Sequence, residues 1–247
     1  MVPAKTPAAA PATVPAAAPD SAPYESPEWH PAFEEYCETI FELAEDDLDV
    51  IQARIADRLA ISRPAVSEMI RRMQAEGLVE EGRGAIRLTP KGRSLAETVV
   101  RRHRLAERFL TDMLGLSWAD AHQEAGKWEH VISPAVEDAM MRVLKQPTTC
   151  PHGNPIPGSD YEPPDMTPLG DLAVGQGFVV QRIPEELEFA SGMLKFLEAS
   201  RVTPGATGEV TARSPDGTLT LNVEGDAVGL SNYATERILV TAAAAPS

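Results

Sequence analysis

The sequence predicts a mainly α, multidomain protein: an N-terminal winged helix-turn-helix, a helical middle unit and a small C-terminal β-barrel. Three observations carry that reading. Apolar residues recur every three or four positions from Phe33 to about residue 145, the period of amphipathic helices. A hairpin-like stretch, Val79 to Thr89, interrupts them with Gly82 and Gly84 between β-compatible residues. After a connector with seven prolines and two glycines at 147–168, the pattern changes to short β-like runs. A length of 247 residues accommodates one large domain or two to three small ones.

The elements follow in order. Residues 1–23 hold six prolines and nine alanines, a composition that builds no core, so 1–31 reads as a disordered tail. Phe33, Tyr36, Cys37, Ile40, Phe41 and Ala44 make 32–45 an amphipathic helix. A short helix over 51–60 turns Ile51, Ile55, Ala56 and Leu59 inward. Ser62 caps a third helix that runs to about Glu76; Pro64 in its first turn loses no hydrogen bond, and Gly77 ends it. With the hairpin, these elements define a winged unit over 32–92. Helices over 93–114, 118–131 and 134–145 define a second unit, 93–146, with Gly115 and Ser133-Pro134 as punctuation. Beyond the connector, strands are expected at 177–182, 207–212, 218–223, 227–230 and 237–240, with a helix over 188–199, forming a third unit over 169–243.

Charge is unevenly placed. The chain carries a net −15, yet residues 51–104 hold twelve arginines and lysines against six acids. A basic segment inside an acidic protein points to a local anionic partner. Just upstream, Glu34 to Asp49 holds eight acids and no base, a block that attracts cations. Two cysteines are too few for a disulfide framework and fit a reducing cytoplasm. No apolar run of about 18 residues and no leucine-rich leader occurs, so no membrane partner is expected. The Gly-rich phosphate loop, the Gly-x-Ser-x-Gly elbow and the His-Glu-x-x-His string are also missing, so neither an enzyme nor a small-molecule substrate is expected.

In a helix-turn-helix, the second helix enters the major groove with its N-terminal residues facing base edges. Here that start supplies Ser62, Arg63, Pro64, Ser67 and Glu68, followed by Arg71 and Arg72. Gln52 and Arg54 flank the groove, and Arg83 and Arg87 on the wing meet the backbone. Double-stranded DNA is the expected partner.

The histidines suggest a metal. His122, Gly126, Glu129 and His130 fall at i, i+4, i+7 and i+8; His103 and Glu107 at i, i+4; Glu35 and Glu38 at i, i+3. Imidazole with carboxylate suits Mn²⁺, Fe²⁺, Co²⁺, Ni²⁺ or Zn²⁺. Each pair alone is equally well a surface ion pair. Cys37, two residues from Glu35, points to the core, and Cys150-x-His152 offers only two ligands.

From Glu35 to Gly158 the chain resembles the diphtheria toxin repressor family of metal-dependent transcriptional repressors. The strings that carry the resemblance include Glu35-Tyr-Cys-Glu-Thr-Ile-Phe-Glu-Leu, Ser62-Arg-Pro-Ala-Val-Ser, Arg102-His-Arg-Leu-Ala-Glu-Arg-Phe-Leu, Trp128-Glu-His-Val-Ile-Ser and Gly153-Asn-Pro-Ile-Pro-Gly. The resemblance implies a homodimer on a palindromic operator, with an SH3-like (FeoA-like) third domain. It implies that His103, Glu107 and His122 match one ligand set and that Glu35, Glu129 and His130 match the primary one. Glu38 matches a carboxylate of the manganese-responsive branch. The chain departs at Gly126, where the family carries cysteine or glutamate; a backbone carbonyl, water or another acid such as Glu124 is then needed. The places matched to barrel ligands are Ala190 and Met193, with Glu186 and Glu188 nearby.

The sequence thus reads as a cytoplasmic repressor activated by Mn²⁺ or Fe²⁺, with Mn²⁺ favoured because every candidate side chain is Glu or His. Metal is expected to tie the first helix to the metal helices and set the recognition helices at operator spacing. Two rival readings are a metal-buffering or delivery protein without operator binding and a hydrolase using the same cluster.

Overall fold

Hydroxyl caps set the helix starts. Ser62, Thr89, Ser117, Ser133 and Ser231 each accept a hydrogen bond from a backbone N–H of the following turn, and proline sits in the first turn after three of them. The computed structural model describes residues 31–82 and 84–243; the tail to residue 30 and Arg83 on the wing lie outside the described residues.

The first unit comprises α1 (Pro31–Glu45), α2 (Gln52–Arg58), α3 (Arg63–Ala75) and the antiparallel pair β1 (Val79–Gly82) and β2 (Ala85–Leu88). Tyr36, Ile40, Leu43, Ile55, Val66, Ile70, Leu78 and Ile86 fill its core. Each such side chain contributes about 1.5–3 kcal/mol on full burial. Cys37 is fully buried among them.

Helix α4 (Pro90–Asp112) begins three residues earlier than the apolar period indicates, because Thr89 caps it and Pro90 opens it. It joins two cores: Ala96 belongs to the first, whereas Leu105, Ala106 and Leu110 pack with α5 (Trp118–Trp128) and α6 (Pro134–Val143) in the second. Helix α5 stops at Trp128, so Glu129 and His130 sit in the turn leaving it rather than on the helix expected to reach 131.

The connector at 147–168 differs from the loop its prolines suggest. Cys150, His152, Asn154 and Ile156 are buried, and Thr149 bridges Pro155. Gly153 makes this possible: it has φ +89°, and a Cβ there would lie 2.1 Å from the Gln181 carbonyl oxygen. The connector ends in a strand, β3 (Thr167–Pro168).

The barrel-like third unit is a six-stranded antiparallel sheet ordered β3-β8-β4-β5-β6-β7, from β4 (Gly177–Arg182), β5 (Thr207–Arg213), β6 (Leu219–Val223), β7 (Asp226–Leu230) and β8 (Leu239–Ala243). The single helix expected at 188–199 is two, α7 (Glu185–Glu188) and α8 (Met193–Ala199), separated where Gly192 turns to φ +75°. A further turn of helix, α9 (Asn232–Thr235), precedes β8. Trp118 of α5 packs into this sheet's core with Phe178, Leu187 and Leu197, so the sheet grips the middle unit beside its histidines.

Candidate metal centre

Helix α1 is buried on several sides, and its buried residues include Glu34, Glu38 and Glu42. Burying carboxylates is costly unless partners meet them, and here imidazoles meet Glu34 and Glu38 while the Arg58 guanidinium meets Glu42 at 3.3 Å. Glu34 accepts from His130 Nδ1 at 2.6 Å, and Glu35 lies 3.3 Å from His130 Nε2. Glu129 lies 3.2 Å from the same Nε2 and 2.5 Å from His103 Nδ1. Glu38 stands 4.0 Å from His103 Nδ1. All seven expected residues therefore meet: Glu35, Glu38, His103, Glu107, His122, Glu129 and His130.

A second group continues inward without a break. His103 Nε2 lies 3.2 Å from Glu107, and Glu107 accepts from His122 Nδ1 at 3.0 Å. His122 also meets Glu188 at 3.2 Å, and His152 Nδ1 meets the same Glu188 oxygen at 2.8 Å. Cys150 Sγ lies 3.8 Å from His152 Nδ1. Glu185 joins His122 and Glu188 in a further group. Glu34, Cys150, His152 and Glu185 lie outside the expected ligand set, and Glu188 is expected only as a neighbour of the matched barrel places. The Cys150-x-His152 spacing is a local signal; what completes it comes from α4 and α7.

In the sheet unit, Glu188 is the carboxylate that meets His122 and His152, whereas Ala190, one of the two matched places, lines the cleft without a donor side chain. Glu124, one of the stand-ins for the missing ligand, is half-buried and paired with Lys127 at 2.6 Å. Gly126 lines the cleft, and a Cβ built on it would meet nothing within 4 Å.

The donors fit a divalent cation. Glu38 Oε1, Glu107 Oε2 and His152 Nε2 are buried with no hydrogen-bond partner among the described residues. Such orphaned atoms are rare in a folded chain and call for a further ligand. The oxygen and imidazole donors match first-row divalent ions. A cleft of about 720 Å³ between α1, α5 and the α7–α8 turn is lined by Glu35, Glu38, His103, His122 and Glu129.

The electrostatics agree. Burial, then repulsion from Glu129 and Glu42, holds the Glu38 carboxyl well above the usual carboxylate range. Burial pulls His122 down, but its hydrogen bonds to Glu107 and Glu188 outweigh that and carry it up to about 10. Hydrogen bonds to Glu34 and Glu35 carry His130 up to about 10. The site is strongly acidic and attracts positive charge, from protons or from a metal.

The expected DNA face lies elsewhere. Arg63, Pro64, Glu68, Arg71 and Arg72 on α3 are exposed, Ser67 is half-buried, and Ser62 caps the helix. Glu68 pairs with Arg71 at 2.6 Å, and the Arg72 guanidinium lies 5.4 Å from the Phe33 ring. Gln52 and Arg54 are half-buried on α2.

Comparison with known proteins now places the chain. Residues 30–83 match the family described as "Iron dependent repressor, N-terminal DNA binding domain". Residues 89–158 match "Iron dependent repressor, metal binding and dimerisation domain". The chain is 38% identical over 204 residues to the iron-dependent repressor IdeR of Mycobacterium tuberculosis, covering 78% of this chain and 88% of that protein. It is 48% identical over 128 residues to the diphtheria toxin repressor of Corynebacterium diphtheriae, covering 51% of this chain and 57% of the relative. Among solved structures, a manganese-dependent transcriptional repressor in complex with manganese superposes with a TM-score of 0.77 at 30% identity, covering 85% of this chain and 100% of its own. The manganese regulator SloR gives 0.69 at 28% identity, covering 85% of this chain and 97% of its own.

Proposed function

Because this chain belongs to the iron-dependent repressor family of iron- and manganese-dependent transcriptional repressors, we propose that the carboxylate–imidazole cluster is its metal sensor and α3 its operator-reading helix. One arrangement carries the reading. A helix of the winged unit, α1, sets Glu34, Glu35 and Glu38 against His103, Glu129 and His130 of the middle unit. Whatever binds that junction acts on the orientation of the DNA-reading unit.

Glu35, Glu38, His103, Glu129 and His130 form the sensing group, and Glu107, His122, His152, Cys150 and Glu188 form a second group behind it. A bound divalent ion supplies the positive charge that this excess of carboxylates lacks. The protein's own residues do the rest. His103 spans both groups, with one ring nitrogen toward Glu129 and the other toward Glu107. Glu34 holds His130 from outside the group, orienting its ring. Donor chemistry favours Mn²⁺ over Fe²⁺ at the sensing group, which is all Glu and His; the thiol of Cys150 makes the second group softer.

Residues 32–92 form the DNA-binding domain, 93–146 the metal and dimerisation domain, and 169–243 the SH3-like domain. Arg63 and Ser67 read bases; Gln52, Arg54, Ser62, Pro64, Glu68, Arg72 and the wing's Arg83 support them on the duplex. The exposed Met113, Leu114, Val131, Val136 and Val143 offer an apolar surface to a second copy of the chain. None of the described helices is long and apolar enough to cross a membrane, and we assign the dimer to the cytoplasm.

The test is gel retardation of a palindromic duplex, selected from random sequence by the Mn²⁺-treated protein, with and without Mn²⁺. Retardation that appears only with metal in wild type, and not in His130→Ala, supports the reading. Metal uptake with no sequence-specific retardation favours the buffering protein instead.

A further inference from the structure

The buried connector carries a side chain that belongs to neither the metal cluster nor the DNA face. Asn154 is fully buried, and both ends of its amide are used. Its Nδ2 donates to Glu188 Oε1 at 2.7 Å and to the Ile183 carbonyl at 3.0 Å. Its Oδ1 accepts from Arg182 Nε at 2.5 Å. Arg182 then donates to Glu45 at 3.0 Å and to Asp46 at 2.6 Å, where α1 ends. Arg104 of α4 clamps the same Glu45 at 2.6 Å.

We propose that Asn154 is a positioning residue that couples the metal cluster to the DNA-binding unit, through Glu188 on one side and Arg182–Glu45/Asp46 on the other. The proposal rests on the reading of the cluster as a metal sensor.

The chemistry requires an amide. A carboxylate only accepts and a guanidinium only donates, so the group between them must do both from one rigid plane. Aspartate at 154 keeps the acceptor for Arg182 but loses the donor to Glu188 and sets like charges together. Leucine loses both. Burial makes each loss expensive, because the abandoned partner finds no water.

The geometry gives α1 two anchors. Near its start, Glu34, Glu35 and Glu38 meet the cluster directly. At its end, Glu45 and Asp46 meet it through Arg182 and Asn154. Helix α7 adds a parallel strut to α2: Glu188 faces the cluster while Glu186 holds Arg58 at 2.7 Å, and Arg58 also lies over the Phe189 ring at 4.4 Å. The SH3-like domain thereby restrains both α1 and α2, the helix that precedes the recognition helix. This also accounts for the acidic block of the sequence: Glu42, Glu45 and Asp46 are the sockets for Arg58, Arg104 and Arg182.

Hydrogen–deuterium exchange of the full chain tests the proposal, alongside calorimetric Mn²⁺ titration. In wild type, Mn²⁺ should slow amide exchange across residues 42–58. Arg182→Gln touches no candidate ligand, so it should keep Mn²⁺ affinity within about 3-fold while losing most of that metal-dependent slowing, since coupling between sites is a separate quantity from affinity at either. Asn154→Asp should lose the slowing and also weaken Mn²⁺ binding by about 10-fold or more, the effect of losing a ligand's supporting partner. The double variant should lose no more slowing than Arg182→Gln alone, as members of one relay do. Asp46→Asn keeps an oxygen for the Glu186 N–H but turns the acceptor for Arg182 into a donating NH2, so it breaks the same link and tests it if Asn154→Asp does not fold. Wild-type slowing in Arg182→Gln and Asp46→Asn would overturn the relay while leaving the sensor intact. A wild type that takes up neither Mn²⁺ nor Fe²⁺ would overturn both.

Discussion

Arg63, Ser67, Arg71 and Arg72 lie within ten residues on one helix, mostly in solvent, and the middle of the chain has little to do with how they point. The candidate metal ligands come from α1, α4, α5 and the turn after it, the connector and α7, and they mostly touch one another. In the first region each side chain acts nearly alone and can be removed without disturbing its neighbours. In the second, each removal strands a buried group. Mutations should therefore separate the two regions by size, by additivity and by which equilibrium they move.

The largest effect belongs to the centre of the cluster. His103 contacts Glu107, Glu129, Glu38 and His122. His103→Ala should abolish metal-activated operator binding and lower stability in urea by about 3–5 kcal/mol, the cost of stranding buried charge. His130 sits nearer the surface, with its side chain 15% exposed. His130→Ala should likewise abolish metal-activated operator binding, but it should lower stability less than His103→Ala does. Its circular dichroism should match wild type. Equal stability losses for the two variants would erase the contrast between centre and rim.

Changes on the recognition helix come next. Arg63→Ala and Ser67→Ala should each weaken operator binding by about 1–3 kcal/mol and relax sequence preference. Calorimetry on the DNA-free protein should show unchanged Mn²⁺ affinity. A recognition-helix variant with altered metal affinity would break the separation of the regions.

Legibility in the sequence divides along the same line. The α1–α6 pattern could be read because caps such as Ser62, Ser117 and Ser133 and stops such as Gly77 and Gly115 are local signals. Seven cluster residues could be singled out because helical spacing pairs His103 with Glu107 and Glu35 with Glu38, and because the strings around them resemble a repressor family; spacing alone fits surface ion pairs equally well. Glu188 and His152 could be noticed, as a neighbour of matched places and as half of a Cys-x-His pair, but not joined to the cluster. Each reaches the site across a long sequence separation, from a four-residue helix and from a proline-rich stretch with no periodicity. The prolines of the connector suggest solvent exposure; Gly153 instead lets the chain press against β4 and bury His152 and Asn154. The end of α5 was misplaced by three residues because Glu129 keeps helical backbone angles as the cap.

A smaller effect sharpens the account of the cluster. The open space at Gly126 admits a side chain without a clash. Gly126→Glu should raise Mn²⁺ affinity by about tenfold, some 1.4 kcal/mol, and isothermal titration would read it directly. Weaker binding would mean that the added acid only adds repulsion. The smallest effect is at Arg71, exposed and paired with Glu68. Arg71→Ala should weaken all duplexes alike and flatten the salt dependence by about one unit of slope, as for one lost phosphate contact.

The central claim is that the two regions, so differently built, share one equilibrium. Thermodynamic linkage makes that measurable from either side: Mn²⁺ affinity with and without operator, and operator affinity with and without Mn²⁺, must change by the same factor. The account predicts Mn²⁺ binding that is about 5–150-fold tighter on the operator complex, the range of a coupling of 1–3 kcal/mol. Equal Mn²⁺ affinity for free and operator-bound protein would contradict it.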